Sequence, residues 1–297
     1  MSLGIIIINY NGNTDTIECL DSINTLYGNI PGIKVFLIDN NSTEKIDKEI
    51  LENYIYEIIY IQCEKNEGFA RGNNIGIKAA LRTGCEYIAL INNDTVFVDD
   101  SLLMAHTCMK GNPEYGILGL VNYYYSDPST IWQAGFKSYF YLGHSRTIKY
   151  LSEKIEIIPV DYIPGSSMVM HRSVYGTIGY LDERYFAYFE EHDYCIRAKK
   201  HGISVGYLSG TKILHKVGKS STSIVQLYFR TRNKLTFYSE HAPVYGFIIA
   251  TTLHLVVSVK RIMLSGNERK RMFLALFFGV RDYFIKKMYE GSINELK

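Results

Sequence analysis

The chain of 297 residues has five cysteines, Cys19, Cys63, Cys85, Cys108 and Cys195, and none forms a Cys-x-x-Cys pair. Their odd number and wide spacing exclude the usual zinc frameworks and a disulfide scaffold, so a reducing cytoplasmic setting is expected. An excess of one charge is missing as well: 32 lysines and arginines face 30 acids, a formal +2. Such a balance provides no polyanion-binding stripe, and nucleic acid is not an expected partner. No basic segment or small-residue cleavage site precedes LGIIII at 3–8, which reads directly as a core strand, so no leader is expected. Two phosphate loops are also lacking. Gly68, Gly72 and Gly76 miss the tight Gly-x-Gly-x-x-Gly spacing and Gly4 lies inside a strand, which disfavours a nicotinamide or flavin site; Ile213 stands where a Walker loop ending in Lys219 and Ser220 needs its first glycine.

What is present is an ample supply of core residues, 47% hydrophobic, arranged as alternating apolar runs and longer periodic stretches. The pattern predicts an α/β fold with strands at 4–8, 34–38, 58–62 and 87–91 and crossover helices at 14–26, 44–53 and 73–82. Every one of these strands is followed by a polar cluster: NYNG at 9–12, DNNS at 39–42, NEGFARGNN at 66–74 and NND at 92–94. Parallel sheets bind ligands at that carboxyl edge, where loops converge and helix amino termini supply positive potential.

The last 56 residues differ in character. Residues 242–259 contain no charged side chain, and 242–297 carry nine basic against four acidic residues, a local +5 against −3 for the rest. An uncharged run of 18 residues that includes Thr251, Thr252, His254 and Ser258 is short and polar for a membrane span. A pair of interfacial helices on an anionic membrane is the favoured expectation; helices packed on the catalytic domain or in a homodimer, and a true span, are the alternatives.

Three groups of residues suit chemistry. Asp94, emerging from the fourth strand, would hold Mg²⁺ or Mn²⁺ with substrate phosphates completing the coordination, or would cap the turn with Thr95. Glu190, Glu191 and Asp193, preceded by aromatic residues, would supply a general base of raised pKa, or would favour the first turn of a helix. His215 ends a strand before a basic glycine-containing loop, which would place an imidazole on the metal and Lys219 on a phosphate; a structural histidine is the plainer role.

These blocks, in order, resemble the family 2 glycosyltransferases and more closely their rhamnosyltransferase-like branch: IIIINYNG at 5–12, FLIDNNS at 36–42, NEGFARGNNIG at 66–76, NND at 92–94, GSSM at 165–168, YLDE at 180–183, FEEHD at 189–193 and HKVGKS at 215–220. The resemblance covers residues 3 to about 240. It implies a GT-A fold, a Rossmann-like, mostly parallel sheet flanked by helices, with a nucleotide-sugar half at 1–110, an acceptor and catalytic half at 111–241, and 242–297 as a helical appendage. Asn9 and Asn11 would line the nucleoside, Asp39 would read the base, and Arg71 and Asn74 would lie near base and diphosphate. Asp94 matches the last acid of the family's Asp-x-Asp motif, whose first acid is here Asn92, beside Asn93. The Glu-Asp dyad of the family falls on Glu190 and Glu191, with Glu191 at the position of the base and Glu190 and Asp193 as the other candidates. The implied reaction is inverting transfer of a sugar from dTDP-rhamnose or a UDP-hexose to a saccharide or lipid-linked saccharide acceptor, in cell-surface polysaccharide synthesis, by an enzyme peripheral to the inner face of the cell membrane. The rival reading from another class is a catalytically silent membrane-docking subunit of the same fold; a nucleotidyltransferase, which shares the sheet and metal, ranks below it because no glycine-rich phosphate loop follows the first strand.

Overall fold

The computed structural model describes residues 1–152, 154–217 and 223–296. The chain begins β1 (Leu3–Asn9), α1 (Asn13–Tyr27), β2 (Ile33–Asp39), α2 (Lys48–Glu52), β3 (Glu57–Gln62), α3 (Gly68–Arg82) and β4 (Tyr87–Asn92). It continues with β5 (Thr95–Phe97), α4 (Ser101–Gly111), β6 (Tyr115–Tyr124), β7 (Ile131–Gln133), β8 (Gly135–Tyr139), β9 (His144–Ile148), β10 (Glu156–Pro159), β11 (Ser167–His171) and α5 (Ser173–Ile178). It closes with α6 (Glu190–Lys200), β12 (Ser204–His215), α7 (Ser223–His241), α8 (Val244–Met263) and α9 (Arg269–Phe284).

The main sheet runs β10-β12-β6-β11-β4-β1-β2-β3. Strands β1 to β4 are mutually parallel, β11 lies antiparallel between β4 and β6, and β12 is parallel to β6. The carboxyl ends of β1, β2, β4, β6 and β12 therefore share one rim with the amino end of β11. Alternation along β1 sends Ile5 and Ile7 into a core with Cys19, Ile23, Leu102 and Met109, and Ile6 into the opposite core with Ile77, Ala80 and Cys195. Burial on both faces is why these strands read as continuous apolar runs.

Two helices start differently from the sequence expectation. Helix α3 begins at Gly68 rather than near residue 73, because Asn66 Oδ1 accepts the Gly68 N–H at 2.9 Å while Asn40 donates to Asn66. Gly68 sits at φ +71° against the Phe186 carbonyl, where a Cβ would come within 2.4 Å, so only glycine turns the chain there. Gly76 serves a different need: a Cβ would stand 2.5 Å from Ile6 Cγ2, so its absence lets α3 lie close on β1. Helix α2 is shorter than 44–53 because Asp47 caps it, accepting from Glu49 N.

Strand β12 carries a register shift between Leu208 and Ile213 against β6, with Gly210 at φ +82°. Beyond that irregularity its end turns to pair with β5, setting His215 opposite Thr95 and beside the carboxyl end of β4. The three C-terminal helices share a separate core in which Ile224, Leu227 and Phe229 of α7 meet Met272, Ala275 and Leu276 of α9. Asp282 of α9 is fully buried and accepts the Tyr228 hydroxyl at 2.6 Å.

Candidate active site

The rim assembles from short polar turns. After β1 the chain turns through Asn9 to Gly12: buried Asn9 accepts from Gly12 N and Thr16 Oγ1, and Asn11, at φ +56°, accepts from Thr43 N. Asn93 donates to Thr16 Oγ1 at 3.0 Å, so the β1 and β4 turns brace one another. Asp39 at the end of β2 is fully buried, with Oδ1 on the Ser42 amide and Oδ2 on the Tyr60 hydroxyl. It shapes the turn that holds Asn11, whose own amide donates to Ser42 Oγ at 2.9 Å.

Asp94 and His215 come together as the sequence suggested: Asp94 Oδ1 lies 3.3 Å from His215 Nε2, and Asn92 Nδ2 lies 3.1 Å from the same nitrogen. Burial lowers the His215 pKa to about 4, so the ring is neutral at physiological pH and keeps a lone pair for coordination. Trp132, the single tryptophan, stacks on the imidazole at 4.4 Å and walls the pair off. It belongs to the aromatic, irregular stretch at 111–162, which the sequence reads as strands and loops over the sheet, with a cleft wall as one role for it. Lys219 lies outside the described residues.

The acids of α6 divide into two roles. Glu190 is buried and adjoins Glu191 in the first turn of α6, and Oε2 of each has no hydrogen-bond partner among the described residues. Burial and then the neighbouring Glu191 charge push Glu190 well above the usual carboxyl range. Burial also raises Glu191, but backbone N–H groups and the Arg230 charge pull it back, so both carboxyls stand above their usual range with Glu190 the further raised. Asp193 does not belong to this pair, which corrects its candidacy as a base. One of its oxygens meets His241 Nε2 and the other Arg197 Nε, both at 2.7 Å, and these partners outweigh burial to keep it below the usual range. Side chains of Asp193, Glu240 and His241 lie within 4.8 Å of one another, but Arg197 and Arg184 already neutralise the two acids, which disfavours a dication there.

Two residues in left-handed backbone, Tyr188 at φ +70° and Phe189 at φ +78°, aim the first turn of α6. Neither is glycine, so the turn needs external support. Asn233 of α7 supplies it, donating to the carbonyls of both Ala187 and Tyr188 at 2.8 Å. Its neighbour Arg232, fully buried, donates to Asn233 Oδ1 and to the carbonyls of Tyr289 and Arg184.

The carboxyl pair and the Asp94 turn are neighbours through β11. Asn92 N donates to Ser166 O at 3.1 Å, and the adjacent Gly165 lies against Glu191, whose Cβ would stand 3.5 Å from a Cβ at that position. Arg71 and Asn74, expected near base and diphosphate, are both engaged with protein groups. Arg71 pairs with Glu183 and Glu67 and stacks on Tyr289 at 4.5 Å. Asn74 is buried with its amide shared among Leu181 N, Leu181 O and Glu183, so it clamps the 181–183 segment.

A polar rim at the carboxyl edge of a mostly parallel sheet, with a buried carboxyl pair beside a carboxylate and a neutral imidazole, defines the class of nucleotide-sugar glycosyltransferases. The chain belongs to glycosyl transferase family 2, whose model matches residues 4–179. It is 27% identical over 291 residues to the low-salt glycan biosynthesis hexosyltransferase Agl10 of Haloferax volcanii, covering 92% of this chain and 87% of that one. It is 24% identical over 267 residues to the dTDP-rhamnosyl transferase RfbF of Shigella flexneri, covering 83% and 86%. In fold it resembles residues 1–349 of S. aureus TarS in complex with UDP-GlcNAc, with a TM-score of 0.64 at 13% identity, over 95% of this chain and 80% of that one. The protein is a glycosyltransferase of GT-A fold.

Proposed function

We propose that this enzyme moves a hexose, rhamnose from dTDP-rhamnose or a UDP-linked hexose, with inversion onto a lipid-linked saccharide of a cell-surface polysaccharide, working at the inner face of the cell membrane. The observation that carries the reading is the adjacent pair Glu190 and Glu191 in the first turn of α6, with Glu190 buried, together with the Asp94–His215 contact on the rim. Glu191 accepts the proton of the acceptor hydroxyl as that oxygen attacks the anomeric carbon from the face opposite the diphosphate. Glu190, raised further by burial and by the neighbouring charge, stays protonated beside it. Asn9, Asn11 and Asp39 form the nucleoside end, with Asn92 and Asn93 beside the sugar diphosphate and Lys219 on its phosphate. Arg71 and Asn74 act behind them by holding the 181–183 segment. A hard carboxylate oxygen and a neutral imidazole nitrogen 3.3 Å apart fit a divalent ion, and Asp94 and His215 would hold Mg²⁺ or Mn²⁺. Bound there, such an ion supplies positive charge to the diphosphate as it leaves.

The test is thermal shift and slow donor hydrolysis across a panel of nucleotide sugars with Mg²⁺, Mn²⁺ or EDTA. Stabilisation by one diphosphate sugar, lost in EDTA, is the expected result and names the donor. Silence toward every donor would favour a non-catalytic subunit instead.

A further inference from the structure

We infer that the outward face of α8, continued by the tip of the β8–β9 hairpin, docks on an anionic phospholipid bilayer with the helix lying in the membrane plane. The inference gains its purpose from the lipid-linked acceptor proposed above, but its observations are independent of it. A helix on a soluble domain normally turns its apolar stripe inward. Helix α8 does the reverse. Its buried positions include Gly246, Ala250 and Ser258, whereas Val244, Ile248, Val256, Val257, Met263 and Leu264 are 57% to 78% exposed. Its mean hydropathy reaches 1.4 over an 18-residue window that is only 22% buried.

The exposed surface does not stop at the helix. Tyr141 and Leu142 at the hairpin tip are 64% and 54% exposed, and Tyr141 stacks on Tyr245 at 5.7 Å. Paired tyrosines with apolar bodies and polar tips suit the headgroup boundary of a bilayer. At the other end, the turn into α9 gathers Lys260, Arg261, Arg269, Lys270 and Arg271 around a single acid, Glu268. Two grooves of about 560 and 590 Å³ flank this turn, one lined by Lys260 and Arg261 with Val257 and Leu264, the other by Arg269 and Lys270 with Met263 and Phe273. Cations beside open apolar clefts complement anionic lipids. A second copy of the chain would present the same cations instead.

The helix lies on the membrane rather than crossing it because it is anchored along its length. Gly246 abuts the Phe140 carbonyl, Ala250 meets the backbone of Gly143, His254 hydrogen-bonds Thr231 at 2.8 Å and Ile262 enters the α7–α9 core. Crossing a bilayer would break all four contacts. The same hairpin reaches the catalytic helix, since Ser138 of β8 hydrogen-bonds His192 of α6 at 2.8 Å. A lipid surface on this face therefore lies on the side from which a lipid-linked saccharide approaches.

Flotation of the full chain with phosphatidylcholine vesicles, with and without phosphatidylglycerol, tests the inference. Binding is expected to the anionic vesicles and to weaken with salt. Two variants, one combining I248E with V256E and the other K260E with R261E, should each reduce the bound fraction by about tenfold or more while leaving the melting temperature and slow donor hydrolysis unchanged. Unaltered flotation of both variants would overturn the docking face. A full chain that ignores the vesicles and forms a concentration-dependent dimer, broken by I248E with V256E, would overturn it in favour of self-association. Loss of donor hydrolysis in the wild type would count against the enzyme reading and leave the vesicle result standing.

Discussion

At the scale of single residues, the two glutamates should part company under conservative substitution. Glu191→Gln removes the group that accepts the proton and should lower kcat by about 10²- to 10⁴-fold with donor affinity kept. Glu190→Gln mimics the protonated neighbour and should stay within about tenfold of wild type. Equal losses in both variants would mean that Glu191 is not the distinct base. Stability supplies a second readout. The folded-state pKa of Glu190 lies above its unfolded value, so its ionisation costs stability once pH exceeds the ordinary carboxyl range. Glu190→Gln should therefore raise the melting temperature at pH 8 and leave it unchanged near pH 4. Asp193 shows how position decides role within one turn: three residues after Glu190, it faces Arg197 and His241 and serves as a brace.

Among elements, α7 matters to the site chiefly by supporting its backbone. Its Asn233 holds the carbonyls of Ala187 and Tyr188 and so braces the left-handed pair Tyr188 and Phe189, a backbone arrangement that costs about 1–3 kcal/mol per residue when unsupported. Asn233→Ala should reduce kcat by at least about tenfold, change KM for the donor little, and displace the acid limb of the kcat profile as the first turn of α6 and its glutamates shift. If the melting temperature falls while kcat and that limb stay fixed, the residue is merely structural. The task of Arg232 and Asn233 is not legible in the sequence, because their partners at 184–188 and 289 lie far away along the chain. The register shift in β12 has a similar standing: only the observed pairing explains how His215 reaches Asp94.

For the whole molecule, the C-terminal helices are joined to the rest by more than a surface contact. Tyr289 stacks under Arg71, its hydroxyl bonds Glu67, and its carbonyl accepts from Arg232, tying the far end of the chain to the loop before α3. Deleting 242–297 would expose Leu227, Tyr228 and Phe229 and remove Asp282. The expected loss is on the order of the whole stability of a domain, about 5–15 kcal/mol, seen as insolubility or the absence of a cooperative melt. A truncated protein that melts at the wild-type temperature would show the tail to be a true appendage.

The sequence by itself determined the four parallel strands β1 to β4, because apolar runs ending in polar clusters encode such strands and their ligand edge in local order. It also marked Asp94, His215 and the Glu190–Glu191 pair as chemical groups. Tertiary structure decided which of them meet, which acid became a brace, and which segment Asn74 clamps. Those outcomes depend on burial and on partners supplied by distant strands and helices, and spacing along a chain carries neither. The outward apolar face of α8 shows the same division: the composition was legible at once, but which side of the helix meets solvent was fixed only when α7, α9 and the hairpin covered the other.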